Sequence, residues 1–493
     1  MACRWKTAWL IFALWWATGI ASQAQTFTTL HTFENSDGSF PYGALVQGLD
    51  GNFYGTTWEG GREICYNGCG TVFKITPAGT FTTVHEFVGT DGSWPQAGLI
   101  LAANGNLYGV TMGYESPHTT VYAITPEGAF STLYSNSSGL GGSGTSMPIF
   151  PPLMQDTIDG NFYGTAPYGG SPTKKCEDYP GCGTVFKISP SGTLTVLYNF
   201  CNLAKCADGI FPAAQLVQAN NGVLYGTTTS GGGPAYAGVV FKIGTEGALN
   251  ILHQFNLLTD GTDPMGGLTL GTDGNFYGTT ENGGDLACPA LYTSPYYCGT
   301  IFKMTPAGAL TTLHTFDGTD GGNPLTALIQ ATDGNFYGTT SGIGYKGACS
   351  GNNCGSIFQV TPDGTLTTLH SFDKTDGMNP AAALVQGTDG NIYGTTNGFV
   401  GQHLYGTVFQ LSMGLAPFVK TVPAGAYTHT QVLILGTNLT GATSVTFNGK
   451  TAVFTVVSPT EIQATVPGNA TTGTVRVVTP GGTLSSNVPF RVL

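Results

Sequence analysis

The chain has 493 residues, a formal charge of −12 and only 9% charged residues, against about 25% in an ordinary soluble domain. With 75 glycines, its surface must be built largely from Thr, Ser, Asn and Gly. There is no basic run beyond Lys174–Lys175, so the clustered positive footprint needed for DNA, RNA or an anionic membrane surface is missing and those partners are disfavoured.

The first two dozen residues read as a secretory signal. Arg4 and Lys6 precede an apolar run from Thr7 to Ile20, too short to span a bilayer comfortably. Ser22-Gln23-Ala24 supplies small residues for cleavage, so residues 1–24 are expected to be removed, leaving no transmembrane segment in the mature chain.

From residue 25 the chain repeats. The phrase Asn-Phe-Tyr-Gly-Thr-Thr, or a close variant, recurs around Tyr54, Tyr108, Tyr163, Tyr225, Tyr277, Tyr337 and Tyr393, in steps of 54, 55, 62, 52, 60 and 56 residues. A period of about fifty residues rich in strand phrases and turn residues marks a repeat architecture. In the unit Thr326 to Phe372, strand a is Ala327 to Gln330, strand b Asn335 to Thr340, strand c Gly355 to Thr361 and strand d Thr365 to Phe372. Seven such units predict a seven-bladed β-propeller over residues 25–413.

The a–b turn carries Asp-Gly or Asn-Gly in every unit, as at Asp50-Gly51 and Asp333-Gly334, suggesting a type I′ hairpin with positive φ at both residues. The c–d turn is usually Thr/Ser-Pro-x-Gly. Glycine inside strand b, at Gly55, Gly109, Gly164, Gly226, Gly278, Gly338 and Gly394, suggests close approach by a neighbouring backbone. The repeated Tyr and Phe read as packing between blades. Strand d ends in Leu-His-x-Phe at His31, His85, His253, His314 and His370, with Tyr134 and Tyr198 in two units. Tolerance of Tyr argues for a packing site and against a metal ring. The seventh unit lacks its own strand d, and Thr26 to Phe33 precedes any strand a. The N-terminal strand is therefore expected to pair with Gly406 to Leu411 and remove two exposed edges.

Antiparallel strands place the short a–b and c–d turns at one end and the variable b–c and d–a loops at the other. The ten cysteines after Cys3 fall in five local couples in those variable loops: Cys65/Cys69, Cys176/Cys182, Cys201/Cys206, Cys288/Cys298 and Cys349/Cys354. Close pairs behind a signal segment read as disulfides, and without adjacent histidines they do not read as zinc sites. The same loops hold Trp58, Tyr66, Trp94, Tyr114, Tyr168, Tyr179, Tyr236, Tyr292, Tyr296, Tyr297 and Tyr345, candidates for stacking on a glycan or packing on a protein. They hold the acids Glu59, Glu63, Glu115, Glu177, Asp178, Glu281 and Asp285 as well. Two of these could serve a glycosidase or lyase, although nothing in their spacing selects a pair. No Gly-x-Ser-x-Gly elbow or His-Glu-x-x-His helix is present, so no catalytic residue, metal ligand or cofactor is assigned.

After Leu411 the repeat stops. Strand-like runs at Gln431 to Gly436, Ser444 to Asn448, Ala452 to Val457, Glu461 to Val466, Gly473 to Thr479 and Val488 to Val492 predict a small Ig-like β-sandwich over residues 414–493. Val432 to Leu439, Val445 to Gly449 and Glu461 to Pro467 resemble the IPT/TIG family, which implies a spacer or interaction module. The repeats, through residues 271–280, 70–75 and 365–372, resemble the GloVer tandem-repeat family of exported bacterial proteins. That resemblance implies export and no particular activity.

These features together suggest an exported, monomeric, non-catalytic protein of the cell surface or matrix, with a glycan or protein bound on the b–c/d–a loop face. A carbohydrate-active enzyme using loop carboxylates is the alternative, and a purely structural envelope component a third.

Overall fold

The computed structural model describes residues 25–113, 119–136, 151–170, 176, 181–284, 298–341, 354–398 and 405–493. The described chain is all-β, apart from a 3-10 turn at Ala204–Cys206. Among the described residues no helix is long and apolar enough to cross a membrane.

Residues 26–412 form one four-stranded antiparallel sheet after another. The first contains Val46–Gln47, Phe53–Thr57, Thr71–Ile75 and Phe81–Glu86 as strands a to d. The second begins at Ile100–Leu101, the third at Met154–Gln155, the fourth at Val217–Gln218, the fifth at Leu268–Leu270 and the sixth at Ile329–Gln330. The seventh takes its a, b and c strands from Val385–Gln386, Ile392–Thr396 and Thr407–Ser412, and its outer strand from Thr26–Thr32 at the other end of the array. The register runs antiparallel from Thr26 opposite Ser412 to Thr32 opposite Thr407, as the missing strand d of the seventh unit predicts.

Local chemistry departs from the sequence reading at three places. At the a–b turns only the glycine takes positive φ (80° at Gly51, 84° at Gly334), and the preceding Asp or Asn does not. The turn is therefore not type I′. In the first sheet the Gly51 amide donates to the Gly48 carbonyl, while Asp50 accepts from the Asn52 amide at 3.1 Å and from the Tyr54 hydroxyl at 2.7 Å. The same hydroxyl-to-carboxylate bond recurs from Tyr163 to Asp159, Tyr277 to Asp273, Tyr337 to Asp333 and Tyr393 to Asp389. The turn aspartate thus fixes both its own hairpin and the strand-b tyrosine.

The second departure is the strand-b glycine. A Cβ on Gly55 would lie 2.4 Å from Phe73 Cζ and 2.9 Å from Leu45 Cδ2. The group that requires glycine is thus the strand-c ring of the same sheet, not a neighbouring backbone. Phe186, Phe241, Phe302, Phe358 and Phe409 crowd the equivalent glycines, and Tyr122 crowds Gly109.

The third concerns the strand-d histidines, which do more than pack. His31, His85, His253, His314 and His370 each bond through Nε2 to an aspartate in the following loop, at 3.0, 2.9, 2.6, 2.7 and 2.8 Å. The Tyr198 hydroxyl donates to Asp208 at 2.8 Å. Tyrosine is accepted there because it keeps the polar contact. Three of the imidazoles also stack on the outer strand of the next sheet, His31 on Phe81 at 3.9 Å, His85 on Phe130 at 4.2 Å and His370 on Phe27 at 3.9 Å.

Neighbouring sheets are joined in a repeated way. A strand-b threonine hydroxyl donates to a carbonyl of the next sheet: Thr56 to Ala97, Thr165 to Ala214, Thr227 to Pro264, Thr279 to Thr326, Thr339 to Pro380, and Thr395 of the last sheet to Pro41 of the first. Strand-b rings meet across the same joints, as Tyr277 meets Phe336 at 3.9 Å and Tyr393 meets Phe53 at 4.0 Å, the packing expected from sequence. At the turn end, Gln155, Gln218, Gln330, Gln386 and Gln47 each accept an amide from the preceding sheet. Gln47 does this for Thr388, so the last sheet meets the first as the other pairs meet.

Residues 420–492 form two further four-stranded sheets and a short parallel pair, Gly425–Ala426 with Arg491–Val492. Val432, Ile434, Val445, Phe447, Ile462, Val475 and Val477 lie in one buried cluster between them. The short strands Lys420–Val422 and Gly482–Ser485 were not apparent in the sequence.

Candidate functional site

The variable-loop end is organised by one recurring residue. Phe40, Trp94, Phe211, Asp263, Asn323 and Asn379 each precede a proline and take φ between 53° and 58°. Residues before proline favour extended backbone and bulky residues avoid positive φ, so this geometry must be imposed by neighbours. The amides of these residues donate to the carbonyls of Tyr405, Cys69, Cys182, Ala237, Cys298 and Cys354 of the preceding sheet. Four of those acceptors are the second cysteine of a predicted couple.

The disulfides Cys65–Cys69, Cys176–Cys182 and Cys201–Cys206 are formed. Cys298 and Cys354 are disulfide-bonded too, and their expected partners Cys288 and Cys349 lie outside the described residues. All of these links except Cys201–Cys206 therefore hold a carbonyl that receives the next sheet's pre-proline amide.

The carbonyls of most pre-proline residues in turn accept the amide that follows strand b: Trp58 on Phe40, Thr229 on Phe211, Glu281 on Asp263, Ser341 on Asn323 and Asn397 on Asn379. Two sets of equivalent positions thus mark the loop end, and their chemistry is divided. The pre-proline positions of sheets one, two and four are aromatic (Phe40, Trp94 and Phe211), and Trp58 of the first sheet and the nearby Tyr42 and Tyr168 add to them. Trp58 meets Tyr42 at 5.7 Å, Trp94 at 5.9 Å and Phe40 at 6.1 Å, and Tyr168 meets Phe211 at 5.3 Å. Sheets five to seven contribute carboxylates, amides and a hydroxyl.

On that polar side Asn282 Nδ2 donates to Asp263 at 3.1 Å, Asn323 Nδ2 to the Glu281 carbonyl at 3.1 Å, and Ser341 Oγ to the Asn323 carbonyl at 3.0 Å. Burial, then the charge of Asp263, pushes the Glu281 carboxyl up to about 7. Burial also raises Asp263, against the pull of its Asn282 and Thr262 bonds. On the aromatic side burial and then Glu59 raise the Tyr42 hydroxyl.

The aromatic residues singled out from sequence fall in different settings. Trp94 is 7% exposed and its Nε1 donates to the Gly68 carbonyl at 3.1 Å, so it stands behind Trp58. Tyr66 is 73% exposed beside the Cys65–Cys69 link, Tyr236 is also exposed, and Tyr168 is half-buried. Tyr114, Tyr179, Tyr292, Tyr296, Tyr297 and Tyr345 lie outside the described residues, as do Glu115, Glu177, Asp178 and Asp285. Glu63 is exposed. The sequence reading missed Phe40, Tyr42, Phe211, Asp263 and Asn323; the signal available for most of them was the residue before proline in each d–a loop. Among the described residues no three His, Cys, Asp or Glu side chains gather where they could hold a metal ion.

The profile of the Gloeobacter/Verrucomicrobia repeat matches residues 18–172, 142–293 and 284–476. No curated protein matches the chain. Solved structures similar to it include a gluconolactonase from Xanthomonas campestris, 13% identical, covering 64% of this chain and 86% of that one with a TM-score of 0.37. Another is the extracellular domain of a provisionally named hybrid two-component system from B. thetaiotaomicron, 10% identical, covering 95% of this chain and 57% of that one with a TM-score of 0.47.

Proposed function

This chain belongs to the Gloeobacter/Verrucomicrobia repeat family, and we propose that it is an exported binding protein whose ligand, a glycan or a surface protein, docks on the variable-loop end of a seven-bladed β-propeller. The seven consecutive sheets and the bond from Thr395 to Pro41 support the closed ring. The two sheets of residues 420–492 around one core support an Ig-like sandwich. Disulfides support an oxidising destination.

The observation that carries the binding reading is the aromatic group Phe40, Tyr42, Trp58 and Trp94 at one side of the loop end, with amides and acids in the equivalent positions of sheets five to seven. An apolar ring face beside hydrogen-bonding groups suits a sugar, which has both kinds of surface. A glycan array probed with the mature chain tests it. Binding that falls at least tenfold in Trp58→Ala is expected; undiminished binding by that variant refutes the site.

A second reading has one observation in its favour. A carboxyl raised to about 7 by burial and by a neighbouring carboxylate suits a general acid near neutral pH. Glu281 would then protonate a glycosidic oxygen and Asp263 would serve as its counterpart. Product release from array hits, abolished by Glu281→Gln with binding retained, would favour hydrolysis; binding without turnover favours the first reading.

A further inference from the structure

The residues after Gly414 do not trail away from the sheets. Thr460 Oγ1 donates to the Leu49 carbonyl in the first a–b turn at 2.7 Å, and Leu433 lies over Gly105 in the second. Arg491 reaches Thr157 in the third sheet, Gln218 at 3.2 Å and the Ala219 carbonyl at 2.7 Å in the fourth. In the seventh, the Phe418 amide donates to the Thr388 carbonyl at 3.0 Å, Thr437 and Thr388 hydroxyls meet at 2.9 Å, and Lys420 Nζ donates to the Gln386 carbonyl at 2.6 Å. These contacts reach five sheets, all at the short-turn end.

Two of those sheets flank the non-covalent seam, which lies inside the seventh sheet where Thr26–Thr32, continuous in chain with the first sheet, pairs with Thr407–Ser412. Thr460 holds the first while Phe418, Lys420 and Thr437 hold the seventh, whose outer strand is Thr26–Thr32. The partners are mostly backbone carbonyls in turns, which offer fixed acceptors at fixed spacing. Lys420 and Arg491 are cations brought onto such carbonyls, and removing either side chain leaves those acceptors without their partner in the contact.

We propose that the C-terminal unit is an intramolecular latch: it spans the short-turn end of the ring, ties the first sheet, and with it the Thr26–Thr32 strand that precedes it in chain, to the inner strands of the seventh across the seam, and leaves the variable-loop end as the way to the axis. A flexible spacer would make no such set of contacts. The latch is independent of which ligand the loop end takes.

The test uses the full mature chain with a protease site inserted after Gly414, an exposed position. The folded protein is nicked and passed through size exclusion, and amide exchange is followed at Phe27–Thr32. The nicked parent should elute as one species. The nicked triple variant Lys420→Met, Thr460→Val, Arg491→Ala should release the C-terminal fragment, with exchange at Phe27–Thr32 at least tenfold faster. Separation of the nicked parent, or co-elution of the triple variant, would overturn the assignment of these contacts. Release without faster exchange at Phe27–Thr32 would overturn the latch.

Discussion

Phe33→Ala tests the seam directly. Phe33 is fully buried at the end of the N-terminal outer strand, its ring 5.3 Å from Phe73 and 5.6 Å from Phe81, and its amide donates to the Gly406 carbonyl at 3.0 Å. It shares a buried cluster with Leu45, Phe53 and Ile75 of the first sheet and Tyr393 and Val408 of the seventh. Truncating a fully buried phenylalanine costs about 3–5 kcal/mol. At about 2 °C per kcal/mol for a large domain, the midpoint should fall by roughly 6–10 °C. Phe316→Ala is the control, because Phe316 is equally buried at the end of an outer strand covalently continuous with its sheet. Calorimetry should show similar losses for the two variants. Amide exchange should separate them, since only Phe33→Ala should expose Phe27–Thr32 and Thr407–Ser412 together. A midpoint within about 2 °C of the parent, or unchanged exchange along those strands, would refute the closure argument.

Other expected outcomes concern single contacts. His85→Tyr should cost less than His85→Phe by about 1–3 kcal/mol, because phenylalanine leaves half-buried Asp91 without its side-chain partner; equal midpoints in urea melts would show that the bond is unimportant. Gly55→Ala should destabilise by roughly 1–3 kcal/mol through the clash with Phe73, and Phe73→Leu should recover part of that loss in the double variant. Glu281 has a raised carboxyl, so folding loses stability as pH rises from the ordinary carboxylate range to about 7. Glu281→Gln should therefore melt higher than the parent at pH 8 and no higher near pH 4, and a constant difference across that range would contradict the assignment. Asp91 behaves oppositely: burial raises it, but His85 and the Val88 amide outweigh burial and lower it, so the stability it contributes is lost as pH falls below about 4. Asp91→Asn should flatten that acid limb in the thermal midpoint.

The repeat was legible because its signals are local. Asp-Gly, Pro-x-Gly and the alternating runs between them specify hairpins within one unit, and the Cys65/Cys69 spacing specifies its own link. The seam was legible because a strand d phrase was left over before the first unit and missing from the seventh. What was not legible depends on contacts between distant residues. The tightness of Gly55 comes from Phe73, and the acceptance of Tyr198 for histidine comes from Asp208. Phe40 and Trp94 look unrelated to Asp263 until the sheets set them at equivalent positions. The docking of Arg491 was hidden for the same reason: its acceptor at Ala219 is a backbone carbonyl, which carries no sequence signature.

The pairing of Thr26 with Ser412 also sets a timetable. The first strand to be made is the last to find its neighbour, because nearly the whole array must emerge before Thr407–Ser412 exists. At about 5–20 residues per second, synthesis keeps that strand waiting for some twenty to eighty seconds. For all of that interval the nascent chain carries an unsatisfied ribbon of amides and carbonyls at its leading end. Transport in an unfolded form, or a bound chaperone, would spare it premature pairing, so the order in which the chain is made and moved becomes part of how Thr26–Thr32 reaches Thr407–Ser412.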